Sequence, residues 1–166
     1  SRVRLTNDDF EVTPELEEIM DTLRYVTRTY SIDPRRITTT GQSQGCMASC
    51  ELLIRYPEFF AGALLVAGQW SPERMAEKAL HNSMWIIVSA GDRGAFPGMN
   101  AVTEAMERAG AEIHRYQWNG QAGKAALEAQ AQAMAADEGT IKYAVFDADS
   151  VKTAANSGPG ANHGGT

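Results

Sequence analysis

Arg36-Ile37-Thr38-Thr39-Thr40-Gly41-Gln42-Ser43-Gln44-Gly45-Cys46 is the stretch that decides the fold. The β-branched run from Arg36 to Thr40 predicts a short strand. Gly41 to Gly45 predicts a tight turn, and Cys46 to Arg55 predicts a helix. Inside the turn, Gly41-Gln42-Ser43-Gln44-Gly45 matches G-x-S-x-G, the pattern that lifts a serine above a sheet on a sharp strand-to-helix turn. The pattern has a steric reason. Side chains two residues before and after the serine are expected to collide with neighbouring backbone, so glycine fills both places. The helix that follows points its N-terminus at the serine. The backbone N–H of Gln44 is then the candidate donor to a developing oxyanion.

Outward from this point, strands and helices alternate. Thr13-Pro14 starts a helix that runs to about residue 30, with Glu15, Glu17 and Glu18 in its first turn, where negative charge is favoured. Ser31-Ile32-Asp33-Pro34 breaks it. Ala61 to Ala67 is a continuous apolar run, as in a parallel strand covered on both faces. A helix of about 72–80, a strand at Met84 to Ser89 and a helix at Pro97 to Ala109 follow. Next come a strand at Ile113 to Trp118, an alanine-rich helix at Ala122 to Ala136 and a strand at Ile141 to Phe146. The tail from Ala154 reads as loop. This order predicts an α/β fold, with a mainly parallel sheet flanked by helices and right-handed crossovers.

Composition narrows the function. The chain has 166 residues, 43% hydrophobic and 22% charged. A domain of this size buries roughly 70% of its unfolded-chain surface. No apolar run approaches the about 20 residues of a membrane span. The net charge of -6 argues against nucleic acid as the main partner. Cys46 and Cys50 stand one helical turn apart, which suits packing better than a disulfide, and they have no neighbouring zinc ligands. Asp147-Ala148-Asp149 opens like a calcium loop but lacks its third oxygen ligand, its glycine and its distal glutamate. The residues therefore call for no metal and no cofactor.

A serine nucleophile needs a histidine base, and the base needs a carboxylate to fix its tautomer. In folds of this kind the chain order is serine, acid, histidine. His81 comes before the acid candidates, and His114 falls inside a strand. His163, in Ala161-Asn162-His163-Gly164-Gly165, lies in a loop beyond the last strand and is the candidate base. Asp92 follows the strand at Met84 to Ser89 and lies at the same sheet edge as Ser43, where α/β sites gather. It is the candidate acid, with Asp147 and Asp149 as competitors. Trp70 stands at this edge too, either lining an acyl pocket or packing in the core; the same choice holds for Met47 and Met99.

These residues resemble a known family. Tyr30-Ser31-Ile32-Asp33-Pro34-Arg35-Arg36-Ile37 followed by Gly41-Gln42-Ser43-Gln44-Gly45 is similar to α/β-hydrolase esterases of the polyhydroxybutyrate depolymerase and feruloyl or acetylxylan esterase type. Tyr56-Pro57-Glu58-Phe59-Phe60-Ala61-Gly62-Ala63 continues the match. Ser89-Ala90-Gly91-Asp92, with Pro97-Gly98-Met99, resembles the family's acid loop, and Asn162-His163 its histidine loop. The resemblance implies Ser43, Asp92 and His163 as a catalytic triad acting on a small-molecule or polymer-linked ester. Three features depart from the family. Gln44 stands where methionine is common, Cys46 replaces a glycine, and residues 119–146 add a helix and a strand between acid and histidine.

The strands and the oxyanion loop that precede residue 14 in the family are absent, and the chain opens at Ser1 without a methionine. The sequence therefore leads us to expect a carboxyl-terminal portion of a catalytic domain over residues 1–166, poorly active alone. The strand at 36–40 is expected to be a sheet edge. No compartment is indicated, and secretion stays open. Two other readings share the sequence: a serine peptidase of the same fold and a non-catalytic α/β binding domain.

Overall fold

The Asp33 carboxylate accepts the N–H of Arg35 at 3.0 Å and folds Pro34–Arg36 into a single 3-10 turn. That turn pushes the first strand, β1, two residues along, to Thr38–Gln42. The computed structural model of the protein describes residues 11–166. After β1 come α2 (Gln44–Arg55), β2 (Gly62–Val66), α3 (Pro72–Lys78), β3 (Met84–Ser89), α4 (Ala95–Arg108) and β4 (Ile113–Trp118). The chain continues through α5 (Lys124–Ala136), β5 (Ile141–Phe146) and α6 (Ala161–Gly164). The last of these is a short helix where a loop was expected.

The chain divides into two units, residues 1–37 and 38–166. In the first, α1 (Pro14–Thr29) begins where the N–H groups of Leu16 and Glu17 turn back onto the Thr13 carbonyl. Its buried residues, Leu16 and Met20, lie four apart on one face.

The second unit is built on a five-stranded sheet in the order β1-β2-β3-β5-β4, with every pairing parallel. Among the described residues β1 pairs with β2 alone, so it is an edge strand as expected. From β1 to β4 the chain travels one way across the sheet, and right-handed crossovers put α2, α3 and α4 on one face. Thr39 bonds Ser49 of α2 and Tyr143 bonds Asn100 of α4 on this face. The step from β4 back to β5 reverses direction, so α5 falls on the other face. There Trp118, Met134 and Ala144 form a buried cluster, with the Trp118 and Phe146 rings edge-on at 5.4 Å.

This reversal settles what residues 119–146 do. They carry the chain from the outer strand β4 back to β5, which takes the place beside β3. The carboxyl ends of β3 and β5 are therefore neighbours, with Ser89 opposite Phe146. The Asp92 loop and the chain that leads to His163 therefore leave the sheet side by side despite the long sequence between them.

The helix-covered face holds the main core. Leu65, Ile86 and Val88 are fully buried there, which stabilises the fold by roughly 1.5–3 kcal/mol for each. The prediction that β2 is covered on both faces fails at Leu64, which is 36% exposed. Within this unit its side of the strand borders an open hollow shared with Thr38, Thr40 and Trp85. Cys46 and Cys50 are free and buried. No helix among the described residues is long and apolar enough to cross a membrane.

Candidate active site

The turn at Ser43 is narrower than the sequence predicts. Gly41 and Gln42 continue the strand and pair with Leu65 and Val66, and the Ser43 N–H donates to the Val66 carbonyl at 3.0 Å. The helix then begins at Gln44. One residue makes the whole reversal, so Ser43 takes φ 55° and ψ -116°, a conformation that L residues rarely adopt. A Cβ on Gly41 would lie 2.2 Å from the carbonyl carbon of Gly45. Glycine is therefore required at 41. At Gly45 a Cβ would meet nothing within 4 Å. The expected collision at both glycines thus holds for the first only, because Gly45 contributes its backbone, not an absent side chain, to the close approach.

Asp92 sits just beyond β3, where its N–H bonds the Ser89 carbonyl. One carboxylate oxygen accepts the N–H groups of Gly94 and Ala95, each at 3.0 Å. These bonds cap α4, which explains why that helix starts two residues before the predicted Pro97; proline is well tolerated in a first turn. The other oxygen lies 2.6 Å from His163 Nδ1. Burial works to raise the Asp92 carboxyl. The Ala95 N–H, the His163 ring and the Gly94 N–H outweigh it and hold the group below the usual carboxylate range.

His163 projects from α6. Its carbonyl accepts from the Gln42 side chain at 3.0 Å, which ties α6 to the turn at Ser43. The preceding residue, Asn162, is buried and bonds both Ser89 and Asp149.

Ser43, Asp92 and His163 line one cavity of about 140 Å³, together with Met47, Ala67, Gly68, Gln69, Gly94 and Ala95. The hydrogen bond among the first three is the one between His163 and Asp92. Gln44 occupies the first position of α2, beside Ser43. Trp70 is not part of the cavity wall: its indole N–H donates to the buried Glu51 at 2.9 Å. Of the two methionines considered, Met47 borders the cavity and Met99 is buried in α4.

The competing candidates have other partners. Asp147 accepts from the Gln117 side chain at 2.5 Å, and Asp149 pairs with Lys152 at 2.7 Å and with Asn162. His81 and His114 border a different hollow, at the amino ends of β4 and β5. Among the described residues no group of three or more histidine, cysteine or acidic side chains is placed to hold a metal ion. Sequence reasoning missed Gln42, Ser89 and Glu51 as supports. Glu51 left one signal, its i,i+4 spacing from Arg55 on an otherwise apolar helix.

No protein-family model matches the sequence, and no curated protein matches it. Among solved structures the chain is similar to a thermostable esterase, with a TM-score of 0.62 at 16% sequence identity. The match covers 86% of this chain and 31% of that one, so this chain spans about a third of the esterase's length. What the two share is the α/β-hydrolase-like fold, a parallel sheet flanked by helices.

Proposed function

We propose that the chain carries the nucleophile, base and acid of a serine hydrolase that cleaves carboxylic esters through an acyl-enzyme. One observation carries this reading. Ser43, at positive φ between β1 and α2, shares a cavity with an imidazole whose Nδ1 lies 2.6 Å from a buried carboxylate.

With Nδ1 donating to Asp92, Nε2 of His163 is the nitrogen that takes the Ser43 proton. Ser43 Oγ then attacks the ester carbonyl, and negative charge grows on the carbonyl oxygen. The Gln44 N–H donates to that oxygen from the first position of α2. Asp92 stabilises the imidazolium until His163 returns the proton to the leaving alcohol. Water repeats the sequence on the acyl-enzyme and releases the acid. The substrate is a small-molecule or polymer-linked ester. In this proposal residues 1–166 are part of an α/β-hydrolase catalytic domain.

The test is covalent labelling of the full chain with a fluorophosphonate probe, read by peptide mass spectrometry. The modification is expected on Ser43, to vanish in Ser43→Ala, and to slow by at least about a thousandfold in His163→Ala. A folded chain that takes no label at Ser43 overturns the proposal.

A further inference from the structure

Asn162 touches the loop of the acid and the turn after the last strand while it carries the base as its next residue. Its Oδ1 accepts the Ser89 hydroxyl and the Asp149 N–H, both at 2.9 Å, and its Nδ2 donates to Asp149 Oδ1 at 2.8 Å. The amide is 7% exposed. The acid loop is shaped to receive it: a Cβ on Gly91 would lie 2.3 Å from the Asn162 amide. Its carbonyl also accepts from the Thr166 hydroxyl at 2.6 Å, closing the loop behind the base.

We propose that Asn162 is the positioning residue for the base. Its side chain spans the end of β3 and the turn that follows β5, and sets the separation of the His163 loop from the Asp92 loop. The proposal rests on the roles given above to Ser43, Asp92 and His163. Asn162 touches neither substrate nor the reacting atoms. It acts by holding the imidazole where Nδ1 meets Asp92, and so sets which nitrogen carries the proton.

The test reverses the polarity of one hydrogen bond. Asn162→Asp keeps the acceptor for Ser89 but sets a carboxylate against Asp149. Asn162→Asp combined with Asp149→Asn restores this pair with donor and acceptor exchanged, and gives up only the exposed Lys152 ion pair to the same Asp149 oxygen. Asparagine suits position 149, where φ is 66°. The first readout is the His163 tautomer, taken from its ring-nitrogen shifts in a long-range proton–nitrogen spectrum. The second is the rate of fluorophosphonate labelling. The parent is expected to hold the Nδ1–H tautomer. Asn162→Asp is expected to lose it and to label about 10–100-fold more slowly. The double variant is expected to regain the tautomer and label within about threefold of the parent.

A folded Asn162→Asp variant with parental tautomer and rate overturns the proposal. So does a folded double variant that regains neither, and this variant decides alone if the single one does not fold. A parent chain that takes no label counts against the hydrolase reading, and the tautomer then decides the role of Asn162.

Discussion

Gly41 and Gly45 look equivalent in the motif, yet the space around them is opposite. A methyl group at 41 has no room, because the backbone of the first helical turn passes 2.2 Å away. At 45 the same group faces open space. Gly41→Ala is therefore expected to cost about 3 kcal/mol through displaced backbone. Gly45→Ala is expected to change stability by less than about 1 kcal/mol, since alanine also favours the helix. Urea unfolding of both variants checks this, and equal losses at the two positions contradict the described turn. The candidate site residues could be named from the sequence because order and spacing limit the choice to few histidines and acids. Their supports were not. Nothing in the pattern marks Gln42, whose amide reaches His163 only after 121 residues of chain have folded.

The elements show a similar division. β3, β4 and β5 fall where alternation and β-branched runs predict them, because those strands carry their own signal. The boundaries of β1 and α4 shifted because capping decides them: Asp33 turns the chain before β1, and Asp92 starts α4 early. Strand order was not legible, since it follows from which crossover reverses. One buried charge joins α2 to α3. Glu51 is fully buried and accepts from Arg55 at 2.8 Å, from Trp70 at 2.9 Å and from both terminal nitrogens of Arg74 at 2.6 and 2.9 Å. Burial works to raise the Glu51 carboxyl, and Arg74 and Arg55 outweigh it and hold it low. Arg74→Met removes two of these bonds and leaves a buried carboxylate undercompensated. It is expected to destabilise the chain by about 3 kcal/mol. A shift of the urea midpoint at unchanged slope measures it, and a loss below about 1 kcal/mol contradicts the arrangement.

Over the whole molecule the titrating groups predict a stability maximum on the acid side of neutrality. The carboxyls of Asp33, Glu51, Asp92, Asp137 and Asp149 are all held below their usual range by hydrogen bonds and neighbouring cations. A lowered folded value means that their contribution is complete above the unfolded values near about 4 and is lost as pH falls through the folded ones. His114 works in the opposite sense. Its Nδ1 lies 2.7 Å from Asp137 and its Nε2 lies 3.2 Å from Glu112. The Asp137 hydrogen bond, against burial and with help from Glu112, raises the imidazole above its ordinary value. Its contribution is complete below about pH 6.5 and is lost as pH rises through the raised folded value. Stability is therefore expected to peak between about pH 5 and 6.5 and to decline on both sides. Chemical unfolding from acid to mildly alkaline pH gives the curve. His114→Gln is expected to flatten the alkaline limb and to reduce the acid limb only by the share of Asp137, which loses its His114 partner and keeps Tyr116 and the Gly139 N–H. A parent whose stability rises from neutral to mildly alkaline pH contradicts the assignment, as does an alkaline decline that survives in His114→Gln.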